Sequence, residues 1–228
     1  MTRNLAHGIG QLPLDHLVFA VPNIDEYVDE FADAIGVRPV FGGSHEGRGT
    51  KNYLLGFKTG NDNPTYLELL GIDPEQSGEL LAGSIFGVGE LGSDFRPHLR
   101  TWAIHPSDFV GTVSRVRAAG FDLGRVESMT RNTPEGARLE WQLTVRPELP
   151  ERGLLPFLIN WGNSPHPSRA EGLPSVALLG LRLEHPHPDR LGPALQAYGL
   201  ESLIDVDYAL VPSIVATLKT PRGEFELR

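Results

Sequence analysis

A histidine and a glutamate each interrupt an apolar run that otherwise reads as a buried strand. His16 stands in "LDHLVFAV", residues 14–21, and Glu68 in "YLELLG", residues 66–71. A carboxylate buried without a partner is costly, so Glu68 needs a partner or solvent. An imidazole and a carboxylate are also natural donors for a divalent metal ion. The residues alone leave two readings open. Either His16 and Glu68 satisfy one another or face water, or together they hold a ligand or a metal.

The choice depends on which way each side chain points, and side chains alternate along a strand. In the first run Leu17, Phe19 and Val21 share a face, and His16, Val18 and Ala20 share the other. In "TKNYLLGF", residues 50–57, the bulky set is Tyr53, Leu55 and Phe57, opposite Thr50, Asn52, Leu54 and Gly56. In the third run Leu67 and Leu69 oppose Tyr66, Glu68 and Leu70. One face is therefore apolar, and the other gathers His16, Thr50, Asn52, Tyr66 and Glu68. On that polar face Thr50, Asn52 and Tyr66 are the candidate substrate contacts. The stretch "GGSHEGRGT", residues 42–50, lacks the Gly-Lys-Ser/Thr of a phosphate loop. It reads as a hairpin loop at the cleft mouth, either a plain turn or a functional loop in which His45 or Arg48 meets an anionic substrate.

These strands belong to a repeating unit. A strand ends at a proline, an amphipathic helix follows, and a glycine closes it: Pro22 to Gly36, Pro106 to Gly120, and Pro186 to Gly199. Asn23 with Glu26 reads as a capping box, Ser107 or Asp108 as the second helix cap, and Pro193 as a restriction on the third helix. Three strand-like segments follow each helix, separated by turn signals such as Gly60-Asn61-Asp62 and Pro134-Glu135-Gly136. The expected units are residues 13–72, 97–162 and 174–228. The fold class is α+β: two βαβββ units pair into a curved mixed sheet with a concave cleft, and a third, similar unit forms the C-terminus. In the connection 73–97, residues 80–86 read as a short helix or lid. His166 falls in the connection 163–175 and is given no chemistry. Trp102 reads as core when its strand is aligned with the first strand without a gap, and as cleft wall if that strand slips by one. Trp141 and Trp161 are further candidates for the wall.

Bulk composition removes several function classes. The formal net charge of −9 without a basic run argues against a nucleic-acid partner. No apolar stretch approaches the roughly 20 residues of a membrane helix, and no secretory h-region opens the chain. With no cysteine, disulfides and thiolate ligands are excluded. The expectation is a cytoplasmic protein with a small-molecule ligand, no nucleic-acid or membrane partner, and self-association left open.

Taken together, "DHLVFAVPNID", "GGSHEGRGTKNYLLGF", "YLELLGIDP" and "GLLPFLINWG" resemble the vicinal oxygen chelate superfamily, in its glyoxalase-like branch. The resemblance covers most of the chain through about Gly162. It implies a metal-dependent small-molecule enzyme, with isomerase, lyase and dioxygenase chemistry all within range. The alternative in the same cleft is a non-catalytic binding or sequestering protein. The implied cofactor is a divalent ion (Mn, Fe, Ni or Zn). His16 takes the first-strand ligand position of unit one. Glu68 takes the last-strand position and doubles as the catalytic base. In unit two the matching positions fall on Leu99 and Ile159, so His98 and Asn160 become ligands only with a one-residue shift. Glu224 or Glu226 of unit three is another source.

Overall fold

The computed structural model describes residues 9–45, 47–60, 62–76, 84–133, 136–146 and 148–228. The first unit runs β1 (Leu14–Ala20), α1 (Ile24–Ile35), β2 (Val40–His45), β3 (Thr50–Lys58) and β4 (Thr65–Ile72). The second runs β5 (His98–Ile104), α2 (Phe109–Ala118), β6 (Arg125–Asn132), β7 (Arg138–Val145) and β8 (Phe157–Asn160). The third runs β9 (Ser175–His185), α3 (Gly192–Tyr198), β10 (Asp205–Tyr208), β11 (Ser213–Thr220) and β12 (Gly223–Leu227). The turn positions Asn61, Pro134 and Glu135 lie outside the described residues, as do 80–83 of the expected helix or lid. Beyond them, Ile85–Leu91 forms two short 3-10 turns joined at Phe86 and Gly87, both at positive φ.

The helices form where the apolar spacing places them, with differences at their ends. Gly36 closes α1 in the left-handed region, and its N–H bonds to Ala32 O. Asn23 precedes α1 without a side-chain capping bond, so the expected capping box does not form. Asp108 does cap α2, accepting from the Gly111 N–H at 2.8 Å. Pro193 stands in the first turn of α3, where a proline costs no helical hydrogen bond.

The strands form a sheet in the order β12-β11-β9-β3-β4-β1-β5-β8-β7-β6, with β10 beside β9 and β2 beside β3. Within each of the first two units the first and last strands pair in parallel, β1 with β4 and β5 with β8. The two units meet through the antiparallel pair β1–β5. The third unit departs from this order, because its first strand β9 lies between β11 and β3.

The alternation decides the two faces. Leu17, Phe19, Val21, Leu55, Phe57, Leu67 and Leu69 join the core that holds the helix residues Ile24, Val28, Phe31 and Ile35. Val18, Ala20 and Leu70 lie in a second apolar cluster with Trp141, Phe157, Ile159 and Trp161, on the concave side. Trp102 belongs to the helix-side core, and its indole N–H donates to Leu154 O at 2.8 Å. Leu99 lies on that side too. Two residues three apart can share a face only across a bulge, and the β1–β5 register does shift at Arg100, between Val18↔Thr101 and Phe19↔Leu99.

Candidate functional site

Two bulged or crossing segments bring the polar residues into one cavity. It is narrow: about 30 Å³ of it admits the centre of a water-sized sphere, within roughly 400 Å³ of atom-free space that is open to solvent. His16, His45, Asn52, Tyr66, Glu68 and Arg131 supply its polar lining. Phe86, Trp141, Phe157 and Trp161 are among its apolar walls. A roomier outer chamber, about 360 Å³ by the same measure, shares Ile85, Phe86, Met129 and Leu143 with it, and carries Arg48, Arg125 and Arg146 toward solvent.

His16 is fixed from behind. The register shift between Leu14 and His16 leaves Asp15 as an extra residue in β1. Its carboxylate reaches three side chains: His16 Nδ1 at 2.6 Å, Trp161 Nε1 at 2.9 Å and His166 Nε2 at 3.2 Å. Burial alone raises the Asp15 carboxyl, but hydrogen bonds from His16 and His166 outweigh it and hold the group far below the usual carboxylate range. An ionised carboxylate only accepts, so Nδ1–H of His16 is the donor. The ring stacks on Tyr66 with centroids 4.7 Å apart, and Nε2 faces Glu68 Oε2 at 3.7 Å.

Glu68 is held in the same manner. Asn52 Nδ2 donates to Oε1 at 2.5 Å, leaving Oε2 toward His16. Asn52 Oδ1 in turn accepts from Arg131 Nη1 at 3.1 Å. His45 lies on the other side of Asn52, 3.4 Å from its Nδ2, with Nε2 3.8 Å from Glu68 Oε1. Its Nδ1 pairs with the buried Thr50 hydroxyl at 2.9 Å. Burial, and also Arg131, lower the His45 pKa from 6.5 to about 4 despite the attraction of Glu68. Burial, reinforced by Asp15 and Glu68, raises the Tyr66 phenol well above its ordinary value, so it stays protonated as a donor.

The neutral His45 gives a pH prediction. Its folded pKa lies below the unfolded value, so the unfolded chain binds the proton more readily as pH falls from 6.5 toward 4. The stability His45 contributes is complete above that window and is lost through it. Between about pH 7 and about pH 5 the wild type should lose roughly 2 kcal/mol more than His45→Gln, measured by urea unfolding at both values.

Not every expected site residue reaches the cavity. His16, His45, Asn52, Tyr66 and Glu68 line it, and Thr50 sits behind His45. His45 is the last residue of β2 and not part of a loop, so the hairpin begins later than expected. Arg48 lies in the outer chamber, paired with Glu127 at 2.9 Å. His98 pairs with Ala20 across the bulge, four residues along β1 from His16 and thus roughly 13 Å away. There it bonds the Arg96 carbonyl at 2.9 Å. Asn160 accepts from Gly162 N–H at 3.1 Å, and its neighbour Ile159 takes the cavity position. Glu224 and Glu226 are exposed on β12, an end strand of the sheet. Asp15, Arg131 and His166 enter from positions that the strand pattern does not single out.

The donor set can be compared with what a metal needs. Among the described residues no group of three or more His, Asp or Glu side chains is placed to hold a metal ion. His16 and Glu68 offer two donors where catalytic sites ordinarily use three, and the third nearby donor, His45 Nε2, lies 3.4 Å from the Asn52 amide nitrogen. The Asn52 amide, a hydrogen donor, stands between Glu68 and His45, and the Arg131 guanidinium already brings positive charge to the pit. These residues do not fit a resident divalent ion.

Paired βαβββ units closing on a polar pit define the vicinal oxygen chelate class of fold. The chain belongs to the glyoxalase-like domain family, whose description matches residues 14–199. Among solved structures, a hypothetical protein from Staphylococcus aureus is similar with a TM-score of 0.66 and 15% identity, covering 94% of this chain and 98% of its own. Methylmalonyl-CoA epimerase from Mycobacterium tuberculosis shows a TM-score of 0.39 and 19% identity over 70% of this chain and 91% of its own. A Streptomyces coelicolor methylmalonyl-CoA epimerase variant, in complex with 2-nitronate-propionyl-CoA, shows 0.41 and 20% over 64% and 94%. No curated protein matches the chain. Among the described residues no helix is long and apolar enough to cross a membrane.

Proposed function

We propose that this chain is a small-molecule enzyme that moves a proton on a carbon beside a carbonyl group. The observation that carries this reading is the facing of His16 Nε2 and Glu68 Oε2 at 3.7 Å, each group held at its far end by a hydrogen bond. That gap is too long for a direct hydrogen bond, and both free ends line the cavity. With one proton on His16 Nε2, Glu68 removes a proton from the substrate carbon. The C–H electron pair moves toward the carbonyl oxygen, and the Tyr66 phenol donates to the oxyanion that forms. His16 then returns its Nε2 proton at the neighbouring atom, and the proton taken up by Glu68 passes back to Nε2 after the product leaves. Isomerisation and elimination share this first step.

No step runs through a metal, because the donors do not fit one. Protein purified without an affinity tag should hold substoichiometric Mn, Fe, Ni and Zn. A stoichiometric metal that disappears in His16→Ala or Glu68→Ala would favour metal-dependent chemistry in the same cavity. The aromatic walls favour a second reading, a binding protein that sequesters a flat ligand. Proton NMR in D2O with a panel of 2-oxo acids and 2-hydroxy ketones separates the two. The enzyme washes deuterium into a panel member and Glu68→Gln does not. Ligand binding without exchange supports the binding protein.

A further inference from the structure

The strongest unused feature of the cavity is Arg131. It is only 4% exposed, yet it lies in the inner chamber and not among the solvent-facing arginines of the outer one. Among the described residues no carboxylate is within ion-pair distance of it, and its recorded hydrogen bond goes to a neutral amide, Asn52 Oδ1. Glu68 and Tyr66 act on it electrostatically. Guanidinium is planar, carries five donors and is always charged, a match for two oxygens of one planar anion. Burying such a cation with only a neutral hydrogen-bond partner among the described residues is costly.

The site is also built to admit this side chain. Gly42 on β2 has no positive φ to account for the glycine. A methyl group there would collide with Asn52 Oδ1, and would lie 2.6 Å from Arg131 Nη1 and 2.9 Å from Leu54 Cγ. The missing side chain is the space through which Arg131 reaches Asn52. Neither residue belongs to the proton-moving pair.

We infer that Arg131 is the receptor for a carboxylate, and that the ligand of this cavity is a small carboxylic acid with its carbonyl or hydroxyl carbon next to the acid group. The inference rests on the proposed reading of the cavity as the substrate site and adds the class of substrate to it. The carboxylate sits on the guanidinium fork, and the short apolar remainder meets Phe86, Phe157 and Trp141. The proton-bearing carbon then lies toward Glu68 and His16, which share the chamber.

The test uses 2-oxobutyrate and its methyl ester as probes, read by quenching of the cavity tryptophans in the full chain. The wild type should bind the acid about tenfold or more tightly than the ester. Arg131→Gln should equalise the two, and Arg131→Lys should keep part of the preference. Gly42→Ala should lose it with every charge intact, so the test survives if Arg131→Gln does not fold. Arg125→Gln, in the outer chamber, should keep it. Equal binding of acid and ester by the wild type, no saturable quenching by either, or a preference that survives Arg131→Gln would overturn the inference. The proposed function fails separately. Acid preference without deuterium exchange leaves the receptor standing and removes the proton chemistry, whereas exchange into neutral ketones without acid preference does the reverse.

Discussion

Asp15→Ala is expected to lower the unfolding free energy by on the order of 3–5 kcal/mol, read from urea midpoints near neutral pH. Asp15 is 1% exposed and accepts from an imidazole on each of two segments and from the Trp161 indole. Truncation leaves three buried donors without an acceptor. The loss reaches across the fold, because His166 and Trp161 lie about 150 residues from Asp15 in the chain. Asp15→Asn keeps the shape and one acceptor oxygen, so it should cost less stability. It also puts an amide beside His16 Nδ1 and removes the negative charge that supports a ring protonated on both nitrogens. Exchange activity should therefore fall in Asp15→Asn by more than its stability does. An Asp15→Ala variant within about 1 kcal/mol of wild type would mean that these bonds do not hold the site together.

Glu68→Gln should slow proton exchange by about a hundredfold to ten-thousandfold while leaving the fold intact. Glutamine keeps an oxygen to accept from Asn52 Nδ2, so the β3–β4 contact survives. Its amide nitrogen faces His16 in place of the carboxylate oxygen and cannot take a proton from carbon. Binding of 2-oxobutyrate should change little, since Arg131 and not Glu68 holds the acid. A variant that loses binding and exchange together would make Glu68 a binding residue. A variant that retains full exchange would place the base elsewhere.

The period of two along β1, β3 and β4 made the polar face legible in the sequence. It put His16, Asn52, Tyr66 and Glu68 on one side and the helix-facing leucines and phenylalanines on the other. The recurring proline-to-glycine spacing made the strand–helix–strand grammar legible as well. What escaped were the departures from regular pleating. The bulge at Asp15 turns a residue next to His16 into its hydrogen-bond partner, which alternation assigns to the opposite face. The bulge at Arg100 shifts the register of β5 by one, and because β5 runs antiparallel to β1, its first residue His98 meets Ala20, at the other end of β1 from His16. No residue type near either position announces the extra residue.

Arg131 was missed because β6 continues to Asn132, beyond the point where apolar alternation ends. Its usefulness depends on Gly42, nearly 90 residues earlier. A contact between a guanidinium and an absent side chain leaves no local pattern. His166 was assigned to a proline-rich connection, and that is where it is. It is nevertheless buried, because its ring reaches Asp15 while its backbone leads into the 3-10 turn Pro167–Arg169. The third unit shows the same limit at a larger scale. Its elements follow the repeated order, but β9 pairs with β11 and β3, and only long-range pairing decides that.

A crystal structure with 2-oxobutyrate bound is the most direct test of whether one cavity does this chemistry. The expected density places the acid in the inner chamber, its carboxylate on Arg131 and the methylene carbon beside its carbonyl between His16 Nε2 and Glu68 Oε2. Density confined to the outer chamber, or a Glu68 side chain turned away from His16, would contradict it.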